Sequence, residues 1–131
     1  MNLITDIFFD LYGVLIDFQY DKIKIKSTAK LLPKLDKVYS LWIISNTSNQ
    51  QIKNLKQDYK FFNYFKEIIT SESAEHSKPD TRIFQYALKK AKTNPYSSLF
   101  IDDSNTNVQA AKKLGFETIH YKNKNSLDVL F

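Results

Sequence analysis

The chain has 131 residues, of which 43% are hydrophobic and 15% are aromatic, and its formal net charge is +5. This composition indicates one folded domain over residues 1–131 and excludes a disordered chain, and the lack of cysteine excludes disulfides, thiolate zinc sites and a cysteine nucleophile. No apolar run approaches the ~18 residues of a membrane span, and no basic leader precedes Asp6, so we expect a cytoplasmic protein without a membrane partner.

The first predicted element is a strand over residues 3–10, which delivers the carboxylate of Asp10 to its end. An apolar run of this length, bounded by a turn at Gly13, is typical of a strand buried on both faces of a parallel sheet. A carboxylate at the carboxyl end of such a strand lies where α/β sheets bind ligands. Taken alone, Asp10 could equally cap a turn, so its interpretation depends on the motifs that follow.

The next stretch predicts two small elements. Residues 15–26 alternate apolar and polar side chains in their second half, which indicates a short hairpin. Ser27 or Thr28 can cap a helix that runs to about Lys37. The apolar face of this helix should consist of Leu31, Leu32, Leu35 and Val38.

Strands and helices alternate through the rest of the chain. The predicted strands are 40–44, 67–70, 98–101 and 117–120, and the predicted helices are 48–59, one that Pro79 opens, and 105–114. Gly115 suits a left-handed helix end, and a short turn or helix should follow at 126–131. Such alternation implies right-handed parallel βαβ units. The predicted fold class is therefore α/β, a doubly wound, three-layer, Rossmann-like parallel sheet.

Polar side chains follow three of the predicted strands. Asp10 follows the first, Ser45 the second, and Asp102 and Asp103 the fourth, while Lys78 precedes a helix between them. Because the carboxyl ends of parallel strands share one edge, these groups should converge. Three carboxylates repel one another without a cation, and an all-oxygen cluster suits Mg²⁺. A lysine and a hydroxyl beside the metal would complete a phosphoryl site, and a carboxylate can be a covalent nucleophile.

Each residue also has a simpler interpretation. Ser45 could simply cap the helix that follows it, Asp103 or Ser104 could cap theirs, and Lys78 could be an ordinary surface lysine. His76, two residues before Lys78, is interpreted as structural or solvated rather than as a proton carrier. The joint occurrence of the other residues favours the functional interpretation for the set.

Four segments in order resemble the motifs of the haloacid dehalogenase superfamily. They are 9–15 (Phe-Asp-Leu-Tyr-Gly-Val-Leu), 44–46 (Ile-Ser-Asn), 78–80 (Lys-Pro-Asp) and 100–108 (Phe-Ile-Asp-Asp-Ser-Asn-Thr-Asn-Val). The match spans nearly the whole chain, and residues 78–121 are similar to the sugar-phosphatase-like branch. The resemblance implies a Mg²⁺-dependent phosphatase or phosphotransferase that acts on a phosphorylated substrate.

The resemblance also implies a role for each acidic residue. Asp10 would be the nucleophile that forms an aspartyl-phosphate and would also bind Mg²⁺. The backbone carbonyl of Tyr12 would be a second metal ligand, with Asp103 as the main carboxylate of the fourth motif and Asp102 beside it. Asn107, one helical turn after Asp103, would orient that carboxylate.

On the phosphate side, the resemblance assigns Ser45 and the neighbouring backbone of Asn46 to the phosphoryl oxygens. Lys78 would neutralise the charge of the nucleophile and of the intermediate. Tyr12 occupies the position where phosphatases of this superfamily have an acid/base aspartate. A phenol with a pKa of ~10 is a poor base, so the expected turnover is slow.

Two alternatives to a phosphatase follow from Tyr12. The Asp-x-Tyr-Gly pattern of residues 10–13 is similar to that of the 2-haloacid dehalogenases of the same superfamily, which use the aspartate on carbon and need no metal. The acidic pair Asp102 and Asp103 favours metal and phosphate over this alternative. The other alternative is a catalytically impaired domain that binds metal, phosphate or a partner without turnover.

The site is expected to lack a cap domain. Relatives with this C-terminal half usually insert a helical cap after the first motif, and residues 16–40 leave no room for one beyond a hairpin flap at about 15–26. Shielding would then come from a homo-oligomer or from a bulky substrate. Nucleic acid is disfavoured as a partner because the basic residues are scattered lysines, apart from the single Arg82.

Overall fold

A computed structural model describes residues 3–131. The strands are β1 (Asp6–Phe9), β2 (Ile16–Gln19), β3 (Lys22–Ile25), β4 (Ser40–Ser45), β5 (Phe65–Thr70), β6 (Ser98–Asp102) and β7 (Glu117–His120). The α-helices are α1 (Leu32–Asp36), α2 (Asn49–Asp58), α3 (Ser71–Ala74), α4 (Thr81–Ala91) and α5 (Asn105–Lys113). Short 3₁₀ helices form at Ser27–Leu31, Lys60–Tyr64, Pro95–Ser97 and Lys124–Leu130.

Five strands form one parallel sheet in the order β5-β4-β1-β6-β7, with β1 in the middle. Phe8 of β1 pairs with Trp42 of β4 on one side and with Phe100 of β6 on the other. Each parallel crossover carries the chain over one face of the sheet, so all five carboxyl ends lie at the same edge. The doubly wound α/β fold is confirmed.

Both faces of the sheet are buried, which explains the uninterrupted apolar strands. On one face, Ile7 and Phe9 of β1 pack with residues of α1, α2 and the C-terminal 3₁₀ helix. On the other face, Phe8 packs with Phe84 of α4 and Phe116 after α5. Each fully buried large side chain contributes about 1.5–3 kcal/mol of hydrophobic free energy, so β1 anchors the three layers.

The alternating stretch after Gly13 forms an antiparallel hairpin of β2 and β3, with Gln19 paired to Lys22. The two turn residues, Tyr20 and Asp21, have positive φ angles of 53° and 59°. Two successive left-handed residues are the mark of a type I′ turn, whose twist matches that of the strands. Between β1 and β4, the described residues form only this hairpin and the short 3₁₀ and α1 helices, and no cap domain.

Two details of the helix predictions are wrong. Val38 does not lie on a buried face but is 71% exposed, because α1 ends at Asp36 and the helical period stops there. Pro79 does not open a helix. The side chain of Asp80 accepts a hydrogen bond from the N–H of Arg82 and caps α4, which therefore begins at Thr81.

Other boundaries differ by less. The first strand begins at Asp6 rather than at residue 3, and the four-residue helix α3 was not predicted. Gly115 follows α5 with a φ of +106°, which confirms its predicted left-handed conformation. No helix within residues 3–131 is long and apolar enough to cross a membrane. The expectation about a leader also involves Met1 and Asn2, which lie outside the described residues.

Candidate active site

Lys78 is the centre of a buried polar cluster. Its Nζ donates to Asp10 Oδ1 at 2.7 Å, to Asp102 Oδ2 at 3.0 Å and to the backbone carbonyl of Ile44 at 2.9 Å. The three N–H groups of an ammonium are thus all used, and only 2% of the side chain is exposed. Lys78 is therefore not a surface lysine, and its charge is held between two carboxylates.

The position of Lys78 depends on the side chain of Asn46, just after β4. Asn46 Nδ2 donates to the carbonyl of Lys78 at 3.0 Å, and the N–H of Lys78 donates to Asn46 Oδ1 at 2.8 Å. An amide side chain can make both bonds because it offers a donor and an acceptor. The family resemblance assigns a role only to the backbone of Asn46, and no signal in the sequence points to a partner 32 residues away.

Asp10, Asp102 and Asp103 converge at the carboxyl ends of β1 and β6. One carboxylate oxygen of each lies within 4.8 Å of the others. Asp10 and Asp102 are buried and Asp103 is exposed. Within residues 3–131, Asp103 forms no ion pair, so one ammonium faces three carboxylates. This excess of negative charge on an all-oxygen donor set fits a divalent cation such as Mg²⁺.

Asp102 is held by several donors besides Lys78. Its Oδ1 accepts from the N–H of Ser104 at 2.9 Å, and its Oδ2 accepts from Asn107 Nδ2 at 3.0 Å. The expectation that Asn107 orients Asp103 is therefore wrong. Because Ser104 caps α5, the first turn of that helix points Asn107 back towards the end of β6. Asn107 instead orients the buried Asp102.

The surroundings shift the pKa values of Asp10 and Asp102 in opposite directions. Burial raises the pKa of Asp10 to about 8, although the Lys78 ammonium acts in the opposite direction. Burial also tends to raise the pKa of Asp102, but Lys78 and the hydrogen bonds from Ser104 and Asn107 lower it below its usual value. Pairs of acids with diverging pKa values are typical of sites where the two carboxylates have different roles.

Gly13 allows the backbone after β1 to approach Asp103 closely. Its φ is +91°, and a Cβ built on this residue would lie only 2.7 Å from Cγ of Asp103. A side chain here would displace the Asp103 carboxylate, and a φ in this range strains every residue except glycine. This approach brings the backbone of Gly13, the residue after Tyr12, to the Asp103 side of the cluster.

The Tyr12 side chain links the hairpin to α2. Its ring stacks on Phe18 with centroids 5.4 Å apart and planes at 13°. Its hydroxyl accepts a hydrogen bond from Gln51 Nε2 at 3.3 Å. The ring therefore contributes to packing at the entrance of the site, and its hydroxyl contacts an amide rather than a carboxylate.

Ser45 and His76 lie on the β4 side of the site. Ser45 is the last residue of β4, is 1% exposed and directly follows Ile44, whose carbonyl accepts from Lys78. His76 has Nδ1 4.0 Å from Asp80 Oδ2 and lines a surface cavity of about 460 Å³ with Glu72 and Glu75. Its ion-pair partner is thus Asp80, which lies outside the converging carboxylates, and the interpretation of His76 as structural or solvated stays a prediction.

Comparison with known sequences relates the chain to one family. The model of the haloacid dehalogenase-like hydrolase family matches residues 18–121. D-ribitol-5-phosphate phosphatase of Bacteroides thetaiotaomicron is 30% identical over 95 residues, which cover 68% of this chain and 46% of the relative. Phosphoglycolate phosphatase of Pseudomonas syringae pv. tomato is 30% identical over 110 residues, which cover 84% of this chain and 40% of the relative. The chain thus spans less than half the length of these curated relatives.

Solved structures share the fold. A HAD family enzyme of Bacteroides thetaiotaomicron, in complex with magnesium and inorganic phosphate, matches with a TM-score of 0.84 at 21% identity, over 98% of this chain and 99% of that chain. A dehalogenase with an intermediate complex matches with a TM-score of 0.84 at 15% identity, over 93% of this chain and 86% of that chain. At such low identity the likeness concerns the fold alone.

Proposed function

The chain belongs to the haloacid dehalogenase-like hydrolase family, and from this premise we propose that it is a Mg²⁺-dependent phosphatase or phosphotransferase. The observation that carries the proposal is the convergence of Asp10, Asp102 and Asp103, with carboxylate oxygens within 4.8 Å of one another, around the buried Lys78. The phosphatases among the relatives support the same reaction class. The substrate would be a phosphate ester.

The proposed metal ligands are Asp10, Asp103 and the backbone carbonyl of Tyr12, with Asp102 beside them. Mg²⁺ bound there would neutralise charge on the phosphoryl oxygens and on the attacking carboxylate. Gly13 supports this assignment because its backbone, which directly follows Tyr12, lies close to the Asp103 carboxylate. The hydrogen bonds from Ser104 and Asn107 would keep Asp102 fixed while the other two acids bind.

Asp10 is the proposed nucleophile. Its Oδ1 is held by Lys78, which leaves Oδ2 to attack phosphorus. The new bond joins Oδ2 to phosphorus, the bond from phosphorus to the leaving oxygen breaks, and that oxygen takes up a proton from the solvent. Water then attacks the same phosphorus, releases inorganic phosphate and restores the Asp10 carboxylate. Lys78 would offset the charge of Asp10 in both steps.

Ser45 and the backbone of Asn46 are proposed to hold the phosphoryl oxygens. The side chain of Asn46 already anchors Lys78, so this segment would position the phosphoryl group and the lysine together. Tyr12 cannot readily replace an acid/base aspartate, since a phenol is a poor base near neutral pH. We therefore propose slow hydrolysis, in which an acceptor other than water can compete for the phosphoryl group. Shielding by a second copy of the chain or by a bulky substrate is part of the proposal.

The test is phosphate release from an aryl phosphate in Mg²⁺. Asp10→Asn should abolish release because it removes the nucleophile. A chelator should abolish release because it removes Mg²⁺. The control is Asp58→Asn, which removes an exposed carboxylate at the end of α2 and should leave release unchanged. Mass spectrometry should detect a phosphate on Asp10 in the parent protein.

Two outcomes would contradict the proposal. One is calorimetry that detects no Mg²⁺ binding at millimolar concentrations. The other is release of halide from 2-haloacids that persists in chelator, which would favour the dehalogenase alternative. Metal binding without any turnover would instead indicate the catalytically impaired domain.

A further inference from the structure

A second charged cavity lies beside the candidate active site. Its volume is about 470 Å³, and its walls include Lys24, Lys26, Lys122 and Lys124, which we call the lysine pocket. Lys24 and Lys26 are two residues apart at the end of the hairpin, and this spacing places extended side chains on the same face. The other two lysines belong to the segment after β7. Two separate parts of the chain therefore bring positive charge to one cavity.

The charge of the lysine pocket is not balanced by the protein. Its lining includes one carboxylate, Asp17, which accepts a hydrogen bond from Lys26 at 2.9 Å. In the part of the chain that the structure describes, no carboxylate lies within 4.0 Å of the ammonium of the remaining three lysines. Several like charges around one cavity repel one another, and a bound anion relieves this repulsion.

Hydrogen bonds fix the walls of the pocket. The hydroxyl of the buried Tyr121 is hydrogen-bonded to Thr28 Oγ1 at 2.6 Å and joins the segment after β7 to the segment after the hairpin. The N–H of Lys122 donates to Ser126 Oγ at 3.0 Å. Lys26 Nζ lies 5.8 Å from the centre of the Tyr121 ring. The backbones that carry the lysines are thus already in place without a ligand.

The lysine pocket continues the edge of the sheet that carries the converging carboxylates. The N–H of Tyr121 donates to the carbonyl of Asp102 at 2.8 Å. Nε2 of His120, the residue before it, lies 3.0 Å from the carbonyl oxygen of Asp103. Neighbouring strands lie about 5 Å apart, so the pocket is one to two strand spacings, or roughly 10 Å, from the Asp103 carboxylate. A small molecule can span this distance.

We propose that the lysine pocket binds a second anionic group, a phosphate or a carboxylate, of a small substrate whose phosphoryl group reacts at Asp10. The inference rests on the proposed phosphatase function and specifies its substrate class as bisphosphates or phosphorylated acids. The two anionic groups would be separated by a chain of several carbon atoms, in keeping with the distance between the two sites. Specificity would come from this pocket, which is open and needs no cap domain.

The experiment compares three substrates that differ only at the far end. Pentyl phosphate has no second anion, pentanediol bisphosphate has a phosphate, and the phosphate ester of hydroxypentanoate has a carboxylate. Because ion pairs with exposed ammonium groups are weak, kcat/KM should be only about three- to tenfold higher for the two substrates that carry a second anionic group. The preference should shrink as salt is added, because salt screens exposed charges.

Variants assign the preference to the pocket. The double variant Lys24→Gln, Lys124→Gln should lose most of the preference and leave kcat/KM for pentyl phosphate unchanged. The control is Lys112→Gln, Lys113→Gln, which removes two exposed lysines at the far end of α5 and should keep the preference. The substrate with the higher kcat/KM, the bisphosphate or the phosphate ester of hydroxypentanoate, shows whether the pocket prefers a phosphate or a carboxylate as the second group.

Three outcomes would overturn the inference. Equal kcat/KM for all three substrates in the parent protein would remove the anion subsite and leave the phosphatase function intact. The same loss in both double variants would show a general effect of charge. Binding is read separately by NMR titration of Asp10→Asn with pentanediol bisphosphate, in which unshifted amides at 122–124 would refute the pocket even if no phosphate ester were hydrolysed.

Discussion

Two regions meet at residue 12 and differ in almost every physical respect. The first is the acid–lysine cluster of Asp10, Lys78, Asp102 and Asp103. The whole Lys78 residue is 6% exposed, and every N–H of its ammonium donates a hydrogen bond. The second is the β2–β3 hairpin, where Phe18 is 60% exposed and Tyr20 is 89% exposed. The cluster is buried except for Asp103, whereas the hairpin contributes Ile16 to the core and exposes its tip.

The difference separates a rigid part of the chain from a part that opens more easily. The cluster lies at the ends of central strands, and its side chains are fixed by packing and hydrogen bonds, as precise chemistry requires. The hairpin has few buried contacts, so it belongs to the part of the molecule that opens at low cost in free energy. Changes in the cluster should therefore affect stability and chemistry strongly, and changes in the hairpin should affect both weakly.

The largest expected effect comes from Lys78→Met. It leaves two acids, of which Asp102 is charged, buried without their cation, which typically costs roughly 3–5 kcal/mol of unfolding free energy. The measurement is urea denaturation in chelator. The matched control is Lys90→Met, since Lys90 pairs with Glu67 at 3.7 Å on the surface and should cost less than about 1 kcal/mol. Equal losses of unfolding free energy in the two variants would mean that the buried ion pairs of Lys78 stabilise the protein no more than a surface pair does.

A smaller effect, on turnover, is expected from Tyr12→Asp, which replaces the residue between the cluster and the hairpin. General acid–base groups contribute ~10²–10⁴-fold, and we expect a gain in turnover of about 10- to 100-fold because the surroundings are shaped around a phenol. Phosphate on Asp10 should accumulate in the parent and clear in the variant, as followed by mass spectrometry after rapid quenching.

Tyr12→Phe is the matched control for this gain. It keeps the ring that stacks on Phe18 but supplies no acid, so turnover should not rise. The loss of the stacked pair in Tyr12→Asp should cost about 0.5–1.5 kcal/mol of stability, which the control retains. An unchanged lifetime of the phosphorylated protein in Tyr12→Asp would show that a missing acid/base is not what limits turnover.

The smallest effect is expected from Tyr20→Asn in the hairpin turn. Asparagine tolerates the left-handed conformation better than tyrosine does, and residue 20 makes few contacts, so stability should change by no more than about 0.5 kcal/mol. Urea denaturation measures the change. A loss of several kcal/mol would show that the hairpin belongs to the cooperative core after all.

The contrast between the regions also explains what sequence could predict. The strands of the sheet are short apolar runs between turn signals, and the positions of Asp10 and Asp102 follow from the shared edge of a parallel sheet. These features depend on local pattern and on general topology. The fold class and the convergence of the acids could therefore be predicted before any coordinates.

Other features depend on distant contacts and could not be predicted. Asn46 bonds Lys78 because the loop that contains Lys78, 32 residues away, returns to the end of β4. Asn107 bonds Asp102 because of the residue at which α5 begins. Val38 was misjudged because the end of α1 carries no glycine or proline signal. Helix α3 has only four residues, too few for a helical period to be recognised.

The type I′ turn of the hairpin has a consequence for protein engineering. Tyr20 and Asp21 lie at an exposed tip, and the residues on either side, Gln19 and Lys22, are paired across the two strands. A foreign domain whose own termini lie close together could be inserted there without separating β2 from β3, because exposed tips tolerate insertion and loop closure adds little entropy cost. The domain would then carry a grafted recognition module at the tip of the hairpin that follows residue 12.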